Sequence, residues 1–204
     1  MGYKGKGSLS YMGIDKELPE VITASADPTT SNKNSDNADI WLAKTSKKVF
    51  IMSDKANGTW IEITSNVIRT VEVSLTNAQI IALATTPIEL VAAPGAGSVV
   101  KFLGGVLKMV YGGTNVFSEA GDNIGIKYTD ASGVQVSETI ECTNFIDASA
   151  TTYTNAEPIK DAIVAATACE NKALVLDNLG SNFAGNAGAD NTIEITLQYR
   201  VVSI

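Results

Sequence analysis

The amino-acid sequence predicts an all-β protein in two parts. Residues 1–66 form an extended N-terminal arm with a small β-hairpin module, and residues 67–204 form an antiparallel β-sandwich or jelly-roll-like domain. Short apolar runs recur between clusters of Gly, Asn and Asp, which is the pattern of many short strands joined by turns. Residues 193–201 alternate apolar and polar side chains without a fault, as a strand with one buried face does.

The N-terminal arm is expected over residues 1–39, which are rich in Gly, Ser, Thr, Asn, Asp and Lys. Within it, residues 26–37 have almost nothing to bury, so this segment cannot offset the entropy of its own ordering. Contacts outside the segment must therefore order it.

Three apolar and aromatic runs, at residues 40–42, 47–52 and 59–63, predict the hairpin module. The Asn57-Gly58 pair before the last run is a turn signal, because both residues tolerate a positive φ. A module of about 25 residues is too small to be stable by itself, so we expect it to dock on a partner or to trimerise. Trp41 and Trp60 are candidates for stacking on sugar rings, but the core of the module is the favoured interpretation.

The body of the chain contains about eight candidate strands, which predict the sandwich. Residues 99–111 are long enough for two strands or for one strand bent at the Gly104-Gly105 pair. Two helices interrupt the strands. Thr76 and Gln79 have the spacing of a capping box, and residues 157–168 favour a second helix with Pro158 in its first turn. The remaining expected strands are residues 71–75, 88–91, 124–128, 134–140, 173–176 and 193–202.

Composition favours a binding or structural protein over an enzyme. The 204 residues include no His, the commonest group for proton transfer near neutral pH. The formal net charge of −7 opposes binding to nucleic acid or to an anionic membrane, and no run of about 18 apolar residues predicts a membrane span. Residues 1–70 carry nine Lys and Arg against eight Asp and Glu, whereas residues 71–204 carry six against fourteen. Two regions with different partners are implied.

Candidate catalytic and ligand-binding motifs are weak. The Pro94-Gly95-Ala96-Gly97 turn lacks the Lys and Ser or Thr of a phosphate loop. Oxygen ligands are dense at residues 177–182, but without the spacing of a calcium loop, so no metal site is predicted. Glu138 and Glu141 would point to opposite faces of a strand, which argues against a glycosidase pair.

These carboxylates are instead interpreted as strand-face and turn residues. Alanine at Asp122, Glu138, Glu141 or Asp177 is then expected to change stability only within about 0.5 kcal/mol. Asp130 and Asp190 are interpreted in the same way.

The two cysteines, Cys142 and Cys169, have no CxxC spacing and no His with which to share a metal. Two buried free thiols are favoured over a single long-loop disulfide.

Two sets of motifs resemble virion proteins of tailed bacteriophages. ADIWL at 38–42, KVFI at 48–51 and GTWIEI at 58–63 resemble their N-terminal attachment modules. A recurrent domain of head-fibre, capsid-decoration and tail accessory proteins is similar to the later motifs, which are TPIELVAAPGAG at 86–97, YGG at 111–113, NKALVL at 171–176 and YRVV at 199–202.

The resemblance implies a non-enzymatic, homotrimeric virion protein with a jelly-roll-like C-terminal domain. Together with the Gly- and Lys-rich arm, the small aromatic module and the acidic body, it favours a capsid-attached head fibre or decoration protein on the virion. It implies no catalytic residues and no cofactor, and its partners would be further copies of the chain and the major capsid protein or another virion protein. A tail or baseplate accessory adhesin that binds a host surface receptor or glycan is the alternative. The candidate capsid-attachment residues lie in the N-terminal region with the basic balance, and they are Tyr3, Lys4, Lys6, Trp41 and Trp60.

Overall fold

The structure is a computed structural model that describes residues 20–32, 38–45, 48–63, 67–119, 122–129, 131–160, 164–185 and 190–204. The chain divides into two compact units, Met1–Val67 (unit 1) and Ile68–Ile204 (unit 2). Its described part is nearly all β, as predicted, with eleven strands and two short helices.

Unit 1 is a four-stranded sheet of β1 (Val21–Ala24), β2 (Ile40–Ala43), β3 (Lys48–Asp54) and β4 (Thr59–Glu62), in that order. The predicted hairpin is present as β3 and β4, and Gly58 in its turn has a φ of +66°. Strand β1 was not expected from the sequence. It precedes the hairpin module and pairs with β2 in parallel.

The polar segment after β1 is held against this sheet. The indole Nε1 of Trp41 donates a hydrogen bond of 2.9 Å to the carbonyl of Ala26. The backbone of Thr30 lies so close to Gly58 that a Cβ atom there would be 2.3 Å from the Thr30 oxygen. The segment therefore obtains some of the outside contacts that it was expected to need over residues 26–32.

Unit 2 contains two antiparallel sheets. The three-stranded sheet has the order β6-β10-β8, and the four-stranded sheet has the order β5-β11-β7-β9. The strands of the first are β6 (Ile88–Val91), β10 (Leu174–Asn178) and β8 (Ile124–Tyr128). Those of the second are β5 (Arg69–Leu75), β11 (Thr192–Ser203), β7 (Ser98–Val110) and β9 (Thr152–Ala156).

The core of unit 2 draws on both sheets, as the predicted β-sandwich requires. Alternate side chains of β11 enter it, which is the outcome of the apolar and polar alternation in the sequence. The three-stranded sheet contributes Leu90, Ile124, Ile126, Leu174 and Leu176, and the four-stranded sheet contributes Leu75, Leu107, Met109, Ile193, Ile195 and Leu197.

The long run through the glycine pair is one strand, β7, and not two. Its pairing with β11 shifts register beside Gly104, which has a φ of +136°. At Gly105 an added Cβ atom would lie 2.4 Å from the Cδ2 of Leu197 and 2.7 Å from the carbonyl oxygen of Thr196. The first glycine thus permits the bulge, and the second permits the close approach of two backbones.

The first predicted helix is confirmed as α1 (Asn77–Ile81), with its capping box. The second is wrong over residues 157–160. That stretch is extended, because the Ile159 N–H donates to the Val136 carbonyl and the Glu138 N–H donates to the Glu157 carbonyl. Among the described residues of the predicted helix and its end, only α2 (Ala166–Cys169) is helical.

Residues 134–140 do not form the predicted continuous strand. They make isolated bridges instead, from Gln135 to Lys127, from Ser137 to Pro158 and from Ile140 to Ile124. Strand β9, which pairs with β7, was not expected.

Candidate functional site

The predicted attachment residues fall in two places. Tyr3, Lys4 and Lys6 lie outside the described residues. Trp41 and Trp60 pack against each other in unit 1, with ring centroids 5.4 Å apart and an edge-on angle of 69°. They share a cluster with Ala43 and Phe50, which confirms the interpretation of the pair as the core of the module. The contact of these residues with a capsid stays a prediction.

One face of the unit 1 sheet holds this cluster. Ile22 and Ala24 of β1 pack against the buried side chains of β2 and β3. On the same face, Lys48 and Glu62 form an ion pair of 3.1 Å between β3 and β4. The segment after β1 contributes to this face through the hydrogen bond from the Trp41 indole.

The opposite face of the same sheet, here called the apolar face, carries a second set of aliphatic side chains. Strand registers align its members in two rows across the four strands. The first row is Val21, Ile40, Ile51 and Ile61. The second row is Thr23, Leu42, Val49 and Ile63, with Ile63 placed by the hydrogen bond from its N–H to the Val49 carbonyl.

In the part of the chain that the structure describes, side chains of the apolar face are exposed on both edge strands of the sheet. Val21 on one edge strand is 57% exposed, and Ile61 on the other is 54% exposed. Ile63 is 46% exposed. None of the eight side chains belongs to the buried cluster on the other face. These exposed aliphatic side chains make the apolar face a candidate interaction surface.

Sequence reasoning missed this face, although a signal was present. The runs IWLA and VFIM place apolar residues at consecutive positions, which is typical of strands covered on both faces. The aromatic residues of the runs were used to define one core, and the aliphatic residues between them point the other way.

Unit 2 contains a buried ion pair between neighbouring strands. The carboxylate of Asp177 is 1% exposed and lies 2.8 Å from the Nζ of Lys127, which also donates to the Ala131 carbonyl. The expectation that replacement of Asp177 by alanine changes stability only slightly assumed an exposed carboxylate. The structure shows that this carboxylate is buried, so the expectation loses its basis.

The oxygen-rich segment that follows is also used inside the fold. The Oδ1 of Asn178 accepts from the Gly180 N–H, and the Oδ1 of Asn182 accepts from the Ala84 N–H. Within the described parts of the chain, no group of three or more His, Cys, Asp or Glu side chains is arranged to hold a metal ion.

Residues 94–97 form a turn between β6 and β7, as predicted. Gly95 and Gly97 both have a positive φ, of 103° and 71°. Their N–H groups donate to the Oδ1 of Asn171 and to the Oε1 of Glu170, at 2.9 and 2.7 Å. Side chains of this chain thus occupy the donors that a phosphate would need.

The two glutamates weighed as a catalytic pair are both exposed. Hydrogen bonds from the backbone N–H and the hydroxyl of Thr143, at 3.2 and 2.9 Å, lower the pKa of Glu141. A glycosidase acid needs a raised pKa, so this environment is the reverse of the one that such a role requires.

Both cysteines are free, as the favoured alternative predicted, but its expectation that both are buried is wrong for Cys169. Cys142 is buried and Cys169 is half-buried. Burial raises the pKa of the Cys142 thiol to about 12. Burial, followed in size by the charge of Cys169, raises the pKa of Tyr128 to about 12, and the Tyr128 hydroxyl donates to the Val100 carbonyl at 2.8 Å.

These two groups predict an alkaline loss of stability in unit 2. The ordinary pKa values are 9.0 for the Cys142 thiol and 10.0 for the Tyr128 phenol, so the unfolded chain releases these protons while the folded chain holds them to about 12. The stabilisation is complete below pH 9 and is lost as the pH rises to about 12. Urea midpoints measured by circular dichroism across this range check it. Tyr128→Phe should flatten the pH dependence, and Tyr153→Phe, at a 77% exposed position, should leave it unchanged. Equal slopes in both variants would contradict the assignment to Tyr128.

No helix in the described part of the chain is long and apolar enough to cross a membrane. No protein-family model matches the chain, and no curated protein matches it.

Three solved structures are similar to it at low identity. A chain of the cyanophage Pam1 capsid asymmetric unit matches 68% of this chain and 86% of its own length, at 16% identity and a TM-score of 0.41. A chain of the Israeli acute paralysis virus full particle matches 100% and 94%, at 11% identity and 0.24. A chain of the nora virus structure matches 100% and 91%, at 11% identity and 0.23. With TM-scores below 0.5, these likenesses carry no argument about function.

Proposed function

We propose that this chain is a non-enzymatic structural protein of a tailed-bacteriophage virion, a head fibre or decoration protein that forms a homotrimeric projection on the capsid surface. Residues 1–66 attach it, and residues 67–204 form the projecting domain. The observation that supports this proposal most directly is the contrast between the units: unit 2 encloses its own core, whereas unit 1 leaves an apolar face exposed.

The two cores differ greatly in size. The unit 2 cluster contains 24 buried residues, which is enough for a domain that folds by itself. Among the described residues of unit 1, the cluster contains three buried residues and Met52 is buried outside it, so we infer that a partner surface completes unit 1. The residues that need a partner are those whose motifs resemble attachment modules.

Charge supports the same division of roles. The N-terminal 70 residues have a small excess of basic residues, and the rest of the chain is strongly acidic. Contacts between Lys4 and Lys6 and an acidic neighbouring surface would steer and orient the attachment and would weaken with salt.

A truncated chain that begins at Val67 tests this proposal. It should keep a cooperative melt and a β-type circular dichroism spectrum, because the unit 2 core is complete without unit 1. It should fail to bind virus particles stripped of this protein, while the full-length chain rebinds them in a salt-sensitive way.

A matched pair of charge variants gives the control. The double replacement Lys4→Gln with Lys6→Gln should weaken rebinding, and Lys101→Gln with Lys160→Gln in unit 2 should not. If the truncated chain decorates stripped particles as well as the full-length chain does, attachment lies in unit 2 and the proposed roles are reversed.

One observation favours the adhesin alternative. Tyr153 on β9 is 77% exposed and lies in the same cross-strand row as Lys108, Glu194 and Ser74. A shallow groove of about 440 Å³ runs along β5 and β11 beside Glu72 and Glu194. Tyr153 does not line this groove, but it lies two strands from Glu194 in the same cross-strand row, and an exposed aromatic ring is suited to stacking on a sugar bound across the sheet. Binding to host glycans that Tyr153→Ala abolishes would favour the adhesin.

A further inference from the structure

We infer that the Asn57-Gly58 peptide, in the turn between β3 and β4, is a site of spontaneous deamidation and that the Asp54 carboxylate protects it while the turn is folded. Asn57 is the only Asn in the sequence that is followed by Gly. The inference concerns the chemical stability of unit 1 and does not rest on the proposed function.

The chemistry of this pair requires only water. The backbone nitrogen of Gly58 attacks the Cγ atom of Asn57 and forms a new N–C bond. The bond from Cγ to Nδ2 breaks, and Nδ2 leaves as ammonia with the proton that the Gly58 nitrogen gave up. Water then opens the cyclic imide and leaves aspartate or isoaspartate at this position. Glycine favours the attack because it has no side chain to hinder the approach of its nitrogen.

The Asp54 carboxylate binds Asn57 at two points. Its Oδ2 accepts a hydrogen bond of 2.7 Å from the Asn57 Nδ2, and its Oδ1 accepts one of 3.3 Å from the Asn57 backbone N–H. The backbone N–H of Ala56 donates to the same Oδ1 at 2.9 Å, which fixes the carboxylate in the turn. Nδ2 is the leaving group of the reaction, and hydrogen bonds to a charged acceptor are the stronger kind. They restrict the rotation that the Asn57 side chain needs to bring Cγ onto the Gly58 nitrogen.

Two further contacts restrain the attacking residue. The Gly58 N–H donates to the Lys55 carbonyl at 3.3 Å, so this nitrogen has to leave a partner before it attacks. Gly58 is buried, and the backbone of Thr30 lies against it. An added Cβ atom at Gly58 would be 2.3 Å from the Thr30 oxygen and 2.9 Å from its carbonyl carbon. The Asn57-Gly58 peptide therefore cannot rotate freely in the folded turn.

Charge acts in the same direction. The Gly58 nitrogen attacks after it loses its proton, and a nearby carboxylate raises the energy of the anion that forms. In the unfolded chain the contacts with Asp54 and Thr30 are lost, and the protection is lost with them. We therefore expect deamidation of Asn57 to follow the opening of the turn.

The product of the reaction weakens the turn. Deamidation replaces the Nδ2 donor of Asn57 by an oxygen of a negatively charged carboxylate, at the place where the Oδ2 of Asp54 now accepts a hydrogen bond. A hydrogen bond thereby becomes a repulsion between two carboxylates. A chain that has reacted once therefore opens this turn more readily than an intact chain does.

Peptide mapping by mass spectrometry tests the protection. The full-length chain is incubated at mildly alkaline pH, below the range in which unit 2 loses stability. Conversion of Asn57 is followed by the mass gained when NH2 is replaced by OH and by the isoaspartate content. Asp54→Ala should raise the rate about threefold to tenfold, as expected for the loss of a hydrogen bond to a charged group. Glu62→Ala removes an ion pair at the end of the hairpin away from the turn and should leave the rate unchanged.

Asp54→Asn separates the protection from the stability of the turn. It keeps one oxygen that accepts from the backbone N–H groups of Ala56 and Asn57, and it has an NH2 group in place of the second oxygen. The rate at Asn57 should rise as it does in Asp54→Ala, while the melt of unit 1 stays close to that of the wild type. Both Trp residues lie in unit 1, so their fluorescence reports this melt.

Asn57→Asp tests the effect of the product. It should lower the melting temperature of unit 1 below that of Asn57→Ser, which loses the same hydrogen bond without adding a charge. Added salt should recover part of the difference, because exposed charges are screened. Equal melting temperatures of the two variants at low salt would show that the product does not weaken the turn through charge.

The wild-type chain unfolded in guanidinium chloride supplies the reference rate. If the folded chain deamidates at Asn57 as fast as the unfolded chain, the turn gives no protection and the inference fails. It also fails if Asp54→Ala reacts no faster than Glu62→Ala, or if Asp54→Asn reacts as slowly as the wild type. None of these outcomes alters the proposed function, which rebinding to stripped particles tests separately.

Discussion

Replacement of Lys127 by Met is expected to lower the free energy of unfolding of unit 2 by about 3 kcal/mol, the lower end of the range for breaking a buried ion pair. Asp177 is 1% exposed, and its Oδ1 has no hydrogen-bond partner in the described structure, so its Oδ2 depends on Lys127. Without Lys127 the carboxylate is left buried and uncompensated. The Lys127 side chain itself is 14% exposed, so the expected loss of unfolding free energy lies at the lower end of the range for a buried ion pair.

Urea unfolding followed by circular dichroism measures this loss, and an exposed ion pair gives the control. Lys108 and Glu194 lie 2.9 Å apart with side chains 48% and 55% exposed. Lys108→Met should therefore change the free energy of unfolding by less than about 1 kcal/mol. The double variant Lys127→Met with Asp177→Leu should recover part of the loss, because no buried charge remains. Equal effects of Lys127→Met and Lys108→Met would show that Asp177 reaches water in solution.

Replacement of Phe117 by Ala is expected to lower the free energy of unfolding by about 3–5 kcal/mol. The Phe117 ring is 2% exposed and lies in the segment between β7 and β8. Its backbone neighbour Ser118 exchanges two hydrogen bonds with Ala184, at 2.7 and 3.0 Å. An added Cβ atom at Gly185 would lie 2.7 Å from the Phe117 ring. Because these contacts hold both segments in place, the cavity left by alanine cannot close easily.

The adjacent residue provides the control for this prediction. Val116 is 43% exposed, so Val116→Ala should change the free energy of unfolding by no more than about 0.5 kcal/mol. Denaturant midpoints for the two variants compare them directly. A Phe117→Ala loss as small as that of Val116→Ala would mean that this segment is not part of the cooperative core.

Local signals in the sequence were sufficient for several elements. The capping box of α1 depends on two side chains three residues apart, and both of its backbone hydrogen bonds are present. The turn at Gly58 and the alternation in β11 also involve only neighbouring residues. Such elements can be predicted from the sequence because the residues that interact lie within a few positions of each other.

Predictions that depended on distant partners were less successful. Residues 157–160 have the composition of a helix start, but their backbone pairs with residues 136–138. Strand β1 is too short to be recognised alone, and it exists because β2 offers it a parallel partner after a long crossover. In both cases tertiary contacts outweigh a local preference.

The candidate apolar face and the buried ion pair show the same difference between what neighbouring residues determine and what distant pairing determines. From the sequence alone came the all-β class and the aromatic core of the small module, together with the expectation that this module needs a partner. Only the tertiary structure decided that eight side chains align as one open apolar face and that Asp177 is buried beside Lys127. Strand register decides both, and register is set by pairing between segments far apart in the chain, because a shift of one residue moves every side chain to the opposite face.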